Sequence, residues 1–288
     1  MKFTKMHGAG NDYVYVDARS LNYDWPSLSL KISDRHFGVG SDGLILIQES
    51  DVADLKMSMF NADGSVGEMC GNGIRCFAKY AIERSIVDPS TQSIDVETLA
   101  GVRTIVPQYQ DGKVKSARVS MGRPVLNPGD VPVKLQASPG IAGDITRGPI
   151  INYPFEMDGE DLPLTFVSMG NPHAITFMQK PVAEFDLHTI GPKVENHVMF
   201  PRRVNFEVVN LNCEGNMTAR VWERGSGETL ACGTGACAIA VAARLQGLSQ
   251  GSLNITLPGG TLVIDWDGEG EVYLEGPAEE VFSGEWEE

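Results

Sequence analysis

The sequence predicts an α/β protein assembled from two copies of one unit. Short β-prone runs are broken by two helix-forming stretches, a Pro- and Gly-rich crossover begins near residue 120, and the same order of signals recurs on either side of it. At 288 residues the chain is long enough for two domains, and its 42% hydrophobic content is enough for a sizeable core.

The elements follow in order. Residues 13–17 and 43–48 are β-prone runs, each behind a glycine-containing turn, and residues 55–60 alternate before breaking at Asn61-Ala-Asp-Gly64. From Ile74 the period changes. Ile74, Phe77, Ala78, Ala81 and Ile82 fall at helical spacing with Arg75, Lys79 and Glu83 between them, which predicts an amphipathic helix ending near Arg84. Residues 94–98 and 117–121 resume the strand pattern. Residues 122–154 are rich in Pro and Gly, and beyond them 164–168, 174–177, 204–209 and 217–222 are further strand candidates. Residues 235–245 form a second helical stretch with only Arg244 charged, so that helix is expected to be buried nearly all round.

The internal echo is the most informative feature. Gly10-Asn11 leads into a strand, and 59 residues after Asn11 Cys70-Gly-Asn-Gly opens a helix. Gly170-Asn171 leads into a strand, and 61 residues after Asn171 Cys232-Gly-Thr-Gly opens another. Between them, Gly43-Leu-Ile-Leu and Asn205-Phe-Glu-Val begin comparable strands.

Charge narrows the function classes. The chain has 38 acidic and 23 basic side chains, a net charge of −15, which disfavours a sequence-independent grip on nucleic acid or an anionic membrane. Ten of the acids and no Lys or Arg lie in residues 245–288, where Glu285-Trp-Glu-Glu288 reads as a solvated tail. No apolar run reaches the roughly 18 residues of a membrane span. The first residues, Met1-Lys-Phe-Thr-Lys-Met-His-Gly, have no apolar signal-peptide core. Five cysteines, an odd number in a long chain, fit a reducing cytoplasm better than a secreted disulfide framework.

The two cysteine loops carry the chemistry. Unpaired N–H groups and the dipole at a helix N-terminus make a site for an anion such as a carboxylate, and glycines let a ligand approach the backbone. The same field favours a thiolate. Two such loops related by a pseudo-twofold can place sulfurs on opposite sides of one carbon. One thiolate then removes an α-proton while the other thiol reprotonates the opposite face, with the helix N-termini stabilising the enolate-like charge. The scheme needs no cofactor, and neither a Walker-type nor a dinucleotide-binding glycine fingerprint is present.

Plainer readings stand beside this one. Cys70/Cys76 and Cys232/Cys237 could hint at a four-sulfur zinc site, but structural zinc favours tighter knuckles, and Cys76 and Cys237 read as small buried hydrophobes inside helices. No metal is expected, and Cys213 reads as structural. Asn11 and Asn171 suit turns as well as ligands. Glu223-Arg224 could be a surface ion pair or a grip on a zwitterionic amino-acid end. His173 is more often a satisfied structural histidine than a proton shuttle.

These residues resemble the diaminopimelate epimerase family. The resemblance rests on Lys5-Met-His-Gly-Ala-Gly-Asn-Asp-Tyr13, Phe60-Asn-Ala-Asp-Gly-Ser65, Met69-Cys-Gly-Asn-Gly-Ile-Arg-Cys-Phe77, Ser168-Met-Gly-Asn-Pro-His173 and Arg203-Val-Asn-Phe206. Its most specific segment is Glu223-Arg-Gly-Ser-Gly-Glu-Thr-Leu-Ala-Cys-Gly-Thr-Gly-Ala236. It implies an α/β (α+β) fold of two pseudo-symmetric domains, each a mostly antiparallel curved sheet or barrel around a central helix, with the active site between them. The expected domains are 1–120, joined by 276–288, and 121–275. The implied reaction is the cofactor-independent interconversion of LL- and meso-2,6-diaminopimelate ahead of lysine. Carried over by position, Cys70 and Cys232 are the acid/base pair, and Asn11, Asn61, Gly71, Asn72, Asn171, Asn205, Glu223, Arg224, Gly233 and Thr234 contact substrate. His173 and Glu223 tune the thiols. Where some members place a substrate-contacting Gln, this chain has Gly43. A homodimer is implied, with Phe282 at the position of an aromatic residue that helps some members dimerise. A proline-racemase-like enzyme is the alternative, and Glu223-Arg224 with the several asparagines favour the longer substrate.

Overall fold

In a computed structural model of the chain, residues 1–135, 147–212 and 215–287 are described; part of the Pro/Gly stretch and Cys213 lie outside them. The chain forms two compact units, Met1–Ser120 with Glu275–Glu288, and Met121–Leu274.

The first unit opens with β1 (Lys2–Gly8) and β2 (Asn11–Asp17), antiparallel across a two-residue turn. Ala9 and Gly10 both have left-handed φ, 54° and 85°, the geometry that matches the twist of a hairpin. Next is α1 (Trp25–Ile32), whose Asp24 cap accepts from the Ser27 N–H ahead of a Pro in the first turn. β3 (Gly43–Gln48) then lies parallel to β2, β4 (Leu55–Asn61) antiparallel to β3, and β5 (Val66–Gly67) folds back on β4. After α2 (Gly71–Glu83), β6 (Ile94–Thr98) joins β4 in parallel, and β7 (Gly101–Gln110) and β8 (Lys113–Ser120) complete an antiparallel meander.

The second unit repeats the pattern after a small hairpin of β9 (Glu156–Met157) and β10 (Glu160–Asp161). β11 (Thr165–Ser168) and β12 (Pro172–Phe177) are antiparallel, and α3 (Leu187–Glu195) precedes β13 (Asn205–Leu211), which is parallel to β12. β14 (Met217–Glu223) is antiparallel to β13, and β15 (Gly227–Thr229) folds back on it. After α4 (Gly233–Leu245), β16 (Leu253–Leu257) joins β14 in parallel and β17 (Gly260–Asp265) follows antiparallel. The sequence echo is therefore a topological repeat, kept to the residue. Val14 pairs with Leu44 in the first unit as Ala174 pairs with Phe206 in the second. The core of the second unit gathers Leu164, Phe166, Phe185, Phe200 and Phe206, each contributing about 1.5–3 kcal/mol on full burial.

Three expectations need revision. Glu285–Glu287 are not simply a solvated tail, and Glu288 lies outside the described residues. The chain re-enters the first unit within β18 (Tyr273–Pro277), which pairs with β8, and β19 (Glu279–Glu285) pairs antiparallel with β1. Trp286 packs on the Val14, Val16 and Leu46 cluster and exchanges backbone hydrogen bonds with Met1. Second, α2 is buried on its polar side too, because β1, β7 and β8 cover it. Arg75 is 0% exposed and donates to the Gly71 carbonyl, Asn72 Oδ1 and the Pro277 carbonyl, while Lys79 reaches Glu83 and the Val114 carbonyl. Third, α1 and α3 were not expected, although Asp24-Trp-Pro and Asp186 are readable N-caps. The expectation for α4 holds: it is buried along nearly its whole length.

Candidate active site

Each cysteine loop is the N-terminus of its unit's enclosed helix. Cys70 caps α2 from an extended conformation, and its Sγ accepts the Gly73 N–H at 3.4 Å. Cys232 caps α4 in the same way, with Gly235 N–H at 3.3 Å. Sulfur thus takes the place of the usual capping oxygen, inside the positive field of the helix end. Gly71 and Gly233 are the first residues of the two helices and both are buried.

Around Cys70, the thiol donates to Asn11 Oδ1 at 3.2 Å, and Asn72 Nδ2 reaches the same oxygen at 3.3 Å. Asn11 is turned by Asp42, whose carboxylate accepts its Nδ2 at 2.6 Å. Arg35 bridges Asp42 and Asp12, 2.8 Å from each, and Lys5 pairs with Asp12. Burial raises the Asp12 carboxyl's proton affinity, but Arg35 and Lys5 outweigh it and hold the group below its ordinary value; Asp42 is pushed up by burial and by Asp12. Burial also pushes the Cys70 thiol up, opposed by the Gly73 N–H, the Tyr13 hydroxyl, the Asn72 N–H and the charge of Arg75.

Around Cys232, Thr234 Oγ1 lies 3.5 Å from Sγ, and Asn171 Nδ2 donates to that hydroxyl at 3.3 Å. Asn171 Oδ1 meets His173 Nε2 at 3.0 Å, and His173 Nδ1 meets Glu207 Oε1 at 2.7 Å. With both ring nitrogens engaged, His173 is linked to the sulfur through Asn171 and Thr234. The Cys232 thiol is pushed well up by burial and then by Glu223 and Glu207, against weaker help from Thr234 and the Gly235 N–H.

The remaining residues have distinct positions. Asn205, nearly fully buried, straps its surroundings, donating to the Pro172 carbonyl and accepting the Arg224 N–H. Glu223 ends β14, half-buried, and accepts the Thr229 hydroxyl. The exposed Arg224 guanidinium holds the Arg202 carbonyl. Asn61, at the end of β4, is tied to Ser65. At Gly43 a Cβ would lie 2.1 Å from the Phe60 carbonyl oxygen, so this backbone leaves no room for a side chain there. Cys76 and Cys237 are fully buried within α2 and α4. Glu207 and Asp42 were missed from sequence. The one available signal for Glu207 is an acid at the strand position that Ile45 holds in the other repeat.

The family model described as diaminopimelate epimerase matches residues 3–127 and 165–281. A diaminopimelate epimerase of Acetivibrio thermocellus is 49% identical over 287 residues, 99% of this chain and 98% of that protein. Among solved structures, a phenazine biosynthesis protein of the PhzF family from Bacillus anthracis is similar with a TM-score of 0.69 at 16% identity, covering 99% of this chain and 98% of its own. A probable proline racemase from Agrobacterium radiobacter K84 is similar with a TM-score of 0.63 at 11% identity, covering 99% and 92%. These last two likenesses are of the mixed α/β fold alone.

Proposed function

This chain belongs to the diaminopimelate epimerase family, an isomerase family, and we propose that Cys70 and Cys232 are its two proton carriers, one supplied by each unit. The observation that carries this reading is the matched capping geometry. Each sulfur occupies the N-cap of an enclosed helix, with glycine N–H groups beside it. Epimerisation at an α-carbon requires a base on one face and an acid on the other. A thiolate takes the α-proton, the C–H electron pair moves into the carboxylate as an enolate, and the second thiol returns a proton to the opposite face. Atoms and charge balance with no further reactant. The backbone N–H groups at the two helix starts are positioned for the growing negative charge.

Electrostatics divide the roles of the two thiols. Cys70 has Arg75 near it, whereas Cys232 has Glu223 and Glu207. Cys70 is therefore the readier base, and Cys232 waits as the acid. A substrate ammonium on Glu223 would relieve the carboxylate pressure on Cys232, letting the roles reverse for the opposite isomer. Asn11, Asn61, Gly71, Asn72, Asn171, Asn205, Gly233 and Thr234 are proposed substrate contacts, and Arg224 a partner for a carboxylate. A homodimer in a reducing cytoplasm completes the reading. It is supported by the sequence resemblance and by Phe282, which is 46% exposed on β19.

The test is substitution of each cysteine by Ala, with diaminopimelate and proline as rival substrates. Cys70→Ala and Cys232→Ala should each abolish epimerisation of diaminopimelate with the fold intact by circular dichroism. Full activity in either variant, or turnover of proline alone, refutes it.

A further inference from the structure

Glu207 lies on β13 with its carboxyl 0% exposed, and neither the capping geometry nor the proton transfers described above require it. Its Oε1 sits 2.7 Å from His173 Nδ1, and its Oε2 has no hydrogen-bond partner among the described residues. A Cβ on Gly235 would come within 3.0 Å of Glu207 Oε1 and 3.2 Å of Cys232 Sγ, so the carboxyl lies directly under the cysteine loop.

The hydrogen-bond directions constrain the protons. Asn171 Nδ2 donates to Thr234 Oγ1, so the amide oxygen faces His173 Nε2. A carbonyl oxygen only accepts, hence Nε2 carries a hydrogen. A neutral imidazole has one N–H, and the 2.7 Å contact at Nδ1 then needs a second proton, carried by the carboxyl or by the ring. Either way the pair holds one shared proton and no net charge, which is how a carboxyl can sit fully buried without an unpaired charge. Cys232 and Glu223 are the other titratable groups around it.

The first unit lacks this device. The positions equivalent to Glu207 and His173 are Ile45 and Tyr13, and Asp42 instead turns the Asn11 amide so that its oxygen faces Cys70. The two matched asparagines therefore present opposite ends of their amides to their cysteine loops. Resting on Cys232 as a proton carrier, we propose that Glu207 is a positioning residue. By sharing one proton with His173 Nδ1, it keeps Nε2–H on Asn171 and so turns the Asn171 amide N–H toward Thr234 and the Cys232 loop.

The test uses the full chain with ring-¹⁵N histidine, the His173 signals being assigned by their loss in His173→Gln. Wild-type protein should show His173 protonated at Nε2, and Glu207→Ala should release the ring to a mixture of tautomers. In the same variant kcat for diaminopimelate should fall about ten- to a hundredfold with KM changed by no more than about twofold. Glu207→Gln, whose amide can donate to Nδ1, should restore most of kcat. A bare Nε2 in wild-type protein, or a Glu207→Ala variant with unchanged ring signals and kcat, overturns the proposal. So does a folded Glu207→Gln as impaired as Glu207→Ala. If Glu207→Ala does not fold, the wild-type spectrum and the Gln variant decide. Absence of turnover by wild-type protein would strike the functional reading instead, because the ring spectrum needs no substrate.

Discussion

Replacing Arg75 by Met keeps most of the side-chain volume but removes the fork that holds the start of α2. Three acceptors lose the guanidinium as a donor, the Gly71 carbonyl at 2.8 Å, Asn72 Oδ1 at 3.0 Å and the Pro277 carbonyl at 3.3 Å, while the Gly71 carbonyl keeps the backbone N–H of residue 75 in the helix ladder. Stranding a buried acceptor costs about 1–3 kcal/mol. The change also relieves the desolvation of a buried cation, so the three losses do not simply add. A net loss of about 1–3 kcal/mol follows, a sizeable share of the ~5–15 kcal/mol that stabilises a typical protein. Gly71 and Asn72 lie in the Cys70 loop, and the charge of Arg75 opposes the burial that pushes the Cys70 thiol up. The variant should therefore unfold at lower urea by far-ultraviolet circular dichroism, and its Cys70 should alkylate more slowly at neutral pH. Arg75→Lys, which cannot make the fork, should fall in between. A Met variant within about 1 kcal/mol of wild type, with unchanged Cys70 reactivity, would refute the assignment of that fork.

Other outcomes follow from the same geometry. Limited iodoacetamide should label Cys70 before Cys232 on peptide mapping, because Cys232 is more buried and burial and the Glu223 carboxylate push its thiol further up; the reverse order would contradict the division of roles. Burial pushes the Cys76 thiol from 9.0 up to about 11. The unfolded chain then releases that proton first, so stability present below pH 9 should decline as pH rises toward about 11, by roughly 2–3 kcal/mol in all. Cys76→Ala should flatten that decline relative to wild type, and identical alkaline profiles would count against it. Phe282 packs edge-on against Phe3, ring centroids 6.0 Å apart, and if it also serves a dimer, Phe282→Ala should shift the light-scattering mass toward the monomer; an unchanged mass removes it from the interface.

What the sequence made legible was local. Strand periodicity, the two Cys-Gly helix starts and their matched upstream Asn positions are short-range patterns, and the register of β2 on β3 and of β12 on β13 repeats them faithfully. What stayed hidden depends on residues far apart in the chain. A 3.6-residue period shows that Arg75 and Lys79 share the polar side of α2, but not that β7 and β8 will cover that side. The acidic C-terminal end reads as solvated because its partner β1 lies at the other end of the chain. Glu207 reads as one polar residue of an alternating strand until His173 and Gly235 are seen against it. At Asp24 a cap followed by Pro26 is a local signal that marks the start of α1.

That two thiols serve opposite faces of one α-carbon is tested most directly by proton provenance. Purified protein with no added pyridoxal phosphate should turn over one diaminopimelate isomer in D₂O. In the first fraction of conversion the inverted product should carry solvent deuterium at that carbon, while recovered substrate stays unlabelled. Product formed without deuterium, or label appearing equally in substrate and product from the start, would mean that a single group carries the proton both ways and would contradict the account.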